Sequence, residues 1–171
     1  KGTNRLNTDQ LLRCRNIYNF MQEKDNFECI RSNAYALAMM IRVYWMLHNE
    51  TMLTNSPECQ LTKLNHQQWV ELNRLCAMYT ELAGKNVQPL IVLLYALSAL
   101  QMSNLSEYGY HEALDILGTL NEDIFFQRRM WTPFILCDDT GTPYEFSGTV
   151  LSVKANSGFI QVYGVPRRLK K

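Results

Sequence analysis

The sequence predicts a mainly α-helical protein that ends in a short β segment, and three observations lead to this prediction. The first 130 residues repeat apolar side chains with helical spacing and almost never with the period of a strand. Polar breaks divide this region into helices of about 15 residues joined by short loops, the unit from which stacked helical repeats are built. In the remaining residues, turn signals and alternating apolar side chains replace the helical spacing. We therefore predict a helical-repeat region at 1–131 and a β domain at 132–171.

Composition places the chain among globular proteins. Of its 171 residues, 47% are hydrophobic and 19% are charged, which is enough apolar material for a core. The formal net charge of +1 indicates no bulk attraction to nucleic acid or to an anionic membrane. The charge is nevertheless unevenly distributed: residues 144–171 hold five basic residues against Glu145 alone, and Arg167, Arg168, Lys170 and Lys171 are four of the five.

The cysteines and the apolar runs indicate the compartment. Five cysteines, an odd number with no C-x-x-C pair, suggest neither a disulfide framework nor a zinc knuckle, so a reducing, cytoplasmic setting fits best. The longest apolar run, Leu90 to Leu100, is about half the roughly 20 residues needed to span a bilayer. We predict that this run is a buried helix and that the protein does not insert into membranes.

Capping residues locate the first two helices. Thr8 is predicted to cap a helix that ends near Lys24, and its apolar residues recur at helical spacing. Either Ser32 or Asn33 is predicted to cap the next helix, which runs to about His48 and carries apolar residues nearly all round. A helix of that kind is expected to lie centrally in the core.

A further helix is signalled at both of its ends. It is predicted from about His66 to Ala83, because Asn65 and Gln68 have the spacing of a capping box. Gly84 follows as the expected C-terminal stop.

Proline and serine mark the helices that follow. Pro89 fits the first turn of a helix that continues from Leu90 to Met102, apolar on most sides. Ser106 is predicted to open another helix, which ends near Gly118. A short sixth helix is predicted around residues 125–129.

One of these helix pairs resembles the tetratricopeptide repeat. Leu97, Leu100 and Gln101 are followed by the segment Tyr110-His111-Glu112-Ala113-Leu114, in a pattern where small and apolar residues let two helices approach closely. No second copy with the same consensus is visible in the sequence. The resemblance implies a divergent tetratricopeptide-like array, whose last helices the β segment could cap.

The predicted β domain opens with a hairpin. Residues 146–153 alternate between two faces, the segment Ala155-Asn-Ser-Gly158 predicts a turn, and a second strand follows. Two strands alone are marginal in water and leave open edges. We therefore expect the β domain to be incomplete in this chain and the chain to be a piece of a larger protein.

The hairpin resembles the first two strands of the cold-shock, S1 and wider OB-fold group, through Gly148-Thr149-Val150 followed by Gly158-Phe159-Ile160. This resemblance implies a surface for single-stranded RNA. Phe159 and Tyr163 would stack on bases, while Lys154, Arg167 and Arg168 would neutralise phosphates. The alternative interpretation places the aromatic residues in the core and the basic residues in a solvated linker between strands.

The sequence contains no signature of an enzyme. The phosphate-binding loop, the nucleophile elbow and the dinucleotide-binding glycine pattern are all missing from it. His48, His66 and His111 are predicted at or near helix ends, where histidine commonly interacts with the helix dipole, and no metal partner stands at helical spacing. We predict no catalytic residue, no metal site and no cofactor.

Three further segments carry a resemblance to a known family. They are Ala36-Leu37-Ala38, Tyr79-Thr-Glu-Leu82 and Tyr144-Glu-Phe-Ser-Gly-Thr-Val150 leading into Gly158-Phe159-Ile160. With the helical repeats and the OB-like hairpin, they resemble the region near the C-terminus of the sterile alpha motif domain-containing protein 9 family. That resemblance implies a large cytoplasmic, interferon-responsive antiviral and growth-restraining protein of innate immunity, linked to endosome traffic and translation control. It assigns no functional residue to this chain.

The predicted function is a non-catalytic interaction scaffold. Its partners would be other proteins or other domains of the same parent chain, within a cytoplasmic innate-immune protein. The alternative, from a different class, is direct binding of single-stranded RNA by the OB-like segment.

Overall fold

A computed structural model describes residues 5–53, 60–104 and 106–117, together with the pairs 134–135, 144–145 and 167–168. These residues are mainly α-helical, which confirms the fold class at that level. Their helices are α1 (Thr8–Gln22), α2 (Lys24–Ile30), α3 (Ala34–Asn49), α4 (His66–Ala83), α5 (Pro89–Met102) and α6 (Glu107–Leu117). One turn of 3₁₀ helix, Gly84–Asn86, connects α4 to α5.

The helices pack mainly against their neighbours along the chain. Helix α1 contacts α2 and α3, α3 contacts α4, α4 contacts α5, and α5 contacts α6. Packing between successive helices is typical of stacked helical arrays. The tetratricopeptide type of the repeat remains a prediction.

One continuous core joins these helices, from Tyr18 in α1 to Ala113 in α6. Helix α5 is buried on all sides from Pro89 to Leu94, which confirms that the apolar run beginning at Leu90 is a buried helix. Helix α3 is almost as deeply buried, as its apolar circumference predicts.

The predicted cap of α1 is wrong by one residue. Asn7, not Thr8, caps the helix: its Oδ1 accepts from the Gln10 N–H at 2.8 Å, while Gln10 Oε1 accepts from the Asn7 N–H at 2.9 Å. Asn7 completes a reciprocal capping box because a glutamine stands three residues on. Thr8 would face Leu11 at the same spacing, and leucine has no acceptor to return the bond.

A helix that the sequence analysis did not predict follows α1. Helix α1 ends at Gln22 and α2 begins at Lys24, separated by Glu23 in an extended conformation with φ −60° and ψ 141°. Asn26 fixes this break, because its side-chain amide donates to the carbonyl of Phe20 at 2.7 Å.

The caps of the later helices agree with the sequence. Asn33 caps α3, and Asn65 with Gln68 forms the capping box of α4. Gly84 ends α4 at φ 60°, where a side chain would be strained. Ser106 caps α6 by accepting from the Gly109 N–H at 3.2 Å.

Asn49, at the end of α3, anchors the chain that follows it. Its side chain is fully buried; it accepts from the Lys63 N–H at 2.6 Å and donates to the Thr51 hydroxyl at 2.8 Å. The carbonyl of the adjacent Glu50 accepts from the Leu6 N–H at 3.0 Å. The chain segments before α1 and before α4 are thereby both hydrogen-bonded to the end of α3.

The described residues also form four strands of two residues each. Strand β1 (Gln60–Leu61) pairs in parallel with β2 (Phe134–Ile135), and β3 (Tyr144–Glu145) pairs antiparallel with β4 (Arg167–Arg168). The predicted hairpin strands, the sixth helix and the Gly118 stop lie outside the described residues, so the OB-like domain remains a prediction.

Candidate binding cleft between α1, α3 and α4

A cleft of about 380 Å³ lies where α1, α3 and α4 meet. We call it the tyrosine cleft. It is lined by Arg15, Tyr18, Asn19 and Gln22 of α1, by Tyr44, Leu47 and His48 of α3, and by Glu71 of α4. The residues of α1 recur at i, i+3, i+4 and i+7, the spacing that places side chains on one face of a helix.

Three aromatic rings in contact with one another form one wall of the tyrosine cleft. The ring centroids of Tyr18 and Tyr44 are 5.1 Å apart, with an interplanar angle of 50°. Tyr44 also meets His48 edge to face, with centroids 4.4 Å apart. These distances are within the range of favourable aromatic pairs, so the wall is fixed by ring packing as well as by burial.

The capping box of α4 determines where the proton of His48 lies. Gln68 Oε1 accepts from the Asn65 N–H at 3.0 Å, so the amide nitrogen of Gln68 is directed to Nδ1 of His48, also at 3.0 Å. An amide nitrogen only donates, so Nδ1 must accept. The ring proton is therefore on Nε2, and His48 is a neutral donor.

The pKa of His48 agrees with this assignment. Burial lowers it below the ordinary value of 6.5, and the nearby Arg15 charge lowers it further. Protonation would place a second donor against the Gln68 amide. Tyr18, Tyr44 and Glu71 line the same cleft, and the Glu71 carboxylate forms a bidentate ion pair with Arg74 instead.

We expect His48 to make folding stability depend on pH. Because its pKa is lower in the folded chain, the unfolded chain binds the proton first as pH falls. The contribution of neutral His48 to the free energy of unfolding is complete above about pH 6.5, and it decreases as pH falls toward the pKa of His48 in the folded chain. In urea unfolding between about pH 8 and pH 5, the difference in free energy of unfolding between wild type and His48→Gln should shrink on acidification.

His66→Gln is the matched control, because His66 is an exposed histidine at the start of α4. Its difference from the wild type, measured at each pH, is the reference for the difference between wild type and His48→Gln. A difference between wild type and His48→Gln that stays constant, or grows, toward acid pH would contradict the assignment.

Burial holds the two tyrosines in their neutral form. It raises the pKa of Tyr44 to about 12 and raises that of Tyr18 further, and the Glu71 charge adds to both shifts. The hydroxyls therefore keep their protons at neutral pH and serve as hydrogen-bond donors or acceptors.

Arg74, the partner of Glu71 in the ion pair, is held by several contacts. Arg74 donates to both carboxylate oxygens, at 2.7 and 3.0 Å, and its guanidinium lies 5.9 Å from the centre of the Phe27 ring. The hydrogen bond to Glu71 is the largest cause of the raised pKa of Arg74. The carboxylate of Glu71 is thus paired within the protein.

A second groove, of about 470 Å³, lies between the start of α3 and the end of α4. Exposed Tyr35 and Leu82 line it, and Tyr79 and Gln88 on its lining are hydrogen-bonded within the protein. Gln88 accepts from Arg42 at 2.7 Å, and its N–H donates to the Tyr79 hydroxyl at 2.8 Å. The Tyr79 hydroxyl and the Gln88 side-chain oxygen are therefore already engaged in this groove.

The residues predicted to bind RNA are mostly beyond what the structure describes. Lys154, Phe159 and Tyr163 lie outside the described residues. Arg167 and Arg168 form β4, which pairs with β3. RNA binding by this set remains a prediction.

The histidines are only partly where the sequence predicts them. His48 is next to the last residue of α3 and His66 is the first of α4, but His111 lies in the second turn of α6. Among the described residues, no group of three or more His, Cys, Asp or Glu side chains could hold a metal ion. No helix in that part of the chain is long and apolar enough to cross a membrane.

Sequence reasoning missed the tyrosine cleft. It counted Tyr18 and Tyr44 among the apolar residues of their helices and treated His48 as a partner of the helix dipole. The available signal was the polar set on α1, with Arg15, Asn19 and Gln22 beside Tyr18 on one helical face.

Comparison of the chain with protein-family models, curated proteins and solved structures gives no match. The resemblance to the sterile alpha motif domain-containing protein 9 family therefore remains a prediction from the residues quoted for it.

Proposed function

We propose that the described helical region is a non-catalytic protein-interaction scaffold and that the tyrosine cleft is its recognition site. One observation carries the proposal. Tyr18 and Tyr44 are 7% and 5% exposed, line the cleft, and have no hydrogen-bond partner for their hydroxyls among the described residues. The rings are nearly buried while the hydroxyl oxygens stay open to the cleft, so a partner molecule could hydrogen-bond to both of them.

The perturbed pKa values of the described side chains support recognition over catalysis. A nucleophilic cysteine needs a lowered pKa, but burial raises the pKa of both Cys14 and Cys76. Tyr18 and Tyr44 are shifted toward their protonated form, and His48 toward its neutral form. All five groups are thus held uncharged, which suits hydrogen bonding to a partner.

The repeat type and the parent protein belong to the same proposal. Burial of Leu97, Leu100 and Ala113 at the contact of α5 with α6 supports a tetratricopeptide-like pair. The resemblance to the sterile alpha motif domain-containing protein 9 family supports a cytoplasmic innate-immune setting, and it rests on sequence alone.

Site-specific crosslinking tests the scaffold role. A photo-crosslinking amino acid in place of Asn19, which is exposed and lines the cleft, should yield a discrete adduct with a second protein in cells. The same amino acid in place of Asn16 is the matched control, because Asn16 is exposed on the same helix but does not line the cleft. No adduct from position 19, or identical adducts from both positions, would overturn the proposal.

A further inference from the structure

We propose that the tyrosine cleft binds a carboxylate group on an acidic peptide segment of the partner protein. The inference rests on the proposed scaffold function and names the chemistry that this site would recognise. A volume of about 380 Å³ is near the lower end for ligand pockets, so it admits one acidic side chain of a peptide.

The hydrogen-bonding groups of the tyrosine cleft are ready to donate. The Nδ1 atom of His48 is engaged by Gln68, which leaves Nε2–H as a donor with no acceptor among the described residues. The hydroxyls of Tyr18 and Tyr44 are likewise unbonded within that part of the chain, and neither oxygen is sealed from solvent. Three neutral donors on adjacent residues of one wall suit a group that only accepts.

The charges at the tyrosine cleft indicate an anion. No described carboxylate lies within ion-pair distance of Arg15, whereas Glu71 is held by Arg74 through both of its oxygens. Among the described residues, Arg15 is therefore the charged residue of the lining that has no ion-pair partner. A guanidinium surrounded by hydrogen-bond donors is a common arrangement for binding a carboxylate.

A carboxylate fits this site better than a phosphate. Phosphate groups carry nearly two charges and are usually bound by clusters of arginines. Here one guanidinium acts with two neutral phenols and a neutral imidazole, because burial keeps Tyr18, Tyr44 and His48 uncharged. One positive charge matches the single negative charge of a carboxylate.

Binding of matched peptides to the full chain tests the inference. The probe is a fluorescent glutamate-containing peptide with both termini blocked, and its controls replace every glutamate with glutamine or with lysine. The glutamate peptide should bind, and Arg15→Gln should weaken its binding about tenfold or more. Arg13→Gln is the matched control on the same helix, since Arg13 is exposed and does not line the tyrosine cleft.

Tyr18→Phe and Tyr44→Phe separate binding from folding. Each removes only a hydroxyl that has no described partner, so each should weaken the glutamate peptide several-fold without lowering the unfolding midpoint. A structural role for these hydroxyls would instead lower the midpoint and leave peptide affinity unchanged. That second result would overturn the inference.

Other outcomes would also overturn it. Equal binding of the glutamine peptide, tighter binding of the lysine peptide, or equal losses in Arg13→Gln and Arg15→Gln would each exclude carboxylate recognition. Competition by inorganic phosphate at lower concentration than the glutamate peptide would assign the cleft to phosphate. If Asn19 crosslinks a protein while the glutamate peptide fails to bind, the scaffold stands and the carboxylate inference falls.

Discussion

Replacing Leu72 with alanine should lower the free energy of unfolding by about 2 to 5 kcal/mol, the usual range for emptying a fully buried leucine site. Leu72 has no exposed surface and lies in the middle of α4, which packs against both α3 and α5. Loss of the methine carbon and the two methyl carbons there removes packing atoms and leaves a cavity that the flanking helices fill only in part. Urea unfolding followed by circular dichroism would measure the change.

Leu82→Ala on the same helix is the matched control. Leu82 is 41% exposed, so the same substitution removes much less buried surface and should cost about 1 kcal/mol or less. Similar losses at Leu72 and Leu82 would contradict the placement of Leu72 at the contact between α4 and its neighbours.

Gly109→Ala should be the second substitution with a large effect. We expect it to lower the free energy of unfolding by about 1 to 3 kcal/mol through overpacking. A Cβ at position 109 would lie 1.7 Å from Oγ and 2.7 Å from Cβ of Ser103, and 3.0 Å from the carbonyl oxygen of Ala99. Ser103 is itself held in place, because its hydroxyl donates to the Leu100 carbonyl at 3.0 Å. Alanine normally favours a helix by about 1 kcal/mol over glycine, so a net loss would report the crowding directly.

Ser103→Gly provides the compensating variant. In the double variant, two of the three close contacts disappear, and only the Ala99 carbonyl remains at 3.0 Å. The double variant should therefore lose less stability than the two single changes added together, as a double-mutant cycle would measure. Stabilisation by Gly109→Ala alone would show that α5 and α6 are not in close contact at this point.

The sequence predicted those elements whose signals are local. Helix α4 has its capping box at Asn65 and Gln68 and its stop at Gly84 within the chain segment itself, and the structure agrees with both ends. Helix α2 was missed because its start depends on a single extended residue, Glu23, and on the Asn26 side chain reaching back to Phe20. Neither the extended backbone at Glu23 nor the hydrogen bond from Asn26 to Phe20 produces a periodic pattern in the sequence.

The polar face of α1 was a local signal, but the meeting of Tyr18 with Tyr44 in the tyrosine cleft could not be predicted, for a different reason. Tyr18 and Tyr44 are on separate helices, and nothing in the periodicity of either helix indicates that the two rings meet. The same spacing fits a tyrosine in a dry core and one whose hydroxyl faces a cleft. The distinction depends on how far α1 and α3 separate beside His48, which is a property of packing between helices.

The dual role of Gln68 has a consequence for chemical ageing of the protein. Its amide completes the cap of α4 and also keeps the proton of His48 on Nε2. Deamidation to glutamate would preserve the cap, since a carboxylate at this position accepts from Asn65 equally well. The same change would present an oxygen to the imidazole, move its proton to Nδ1 and favour imidazolium. A lesion that leaves the helix intact would thus reverse the hydrogen-bonding polarity of the neighbouring ring.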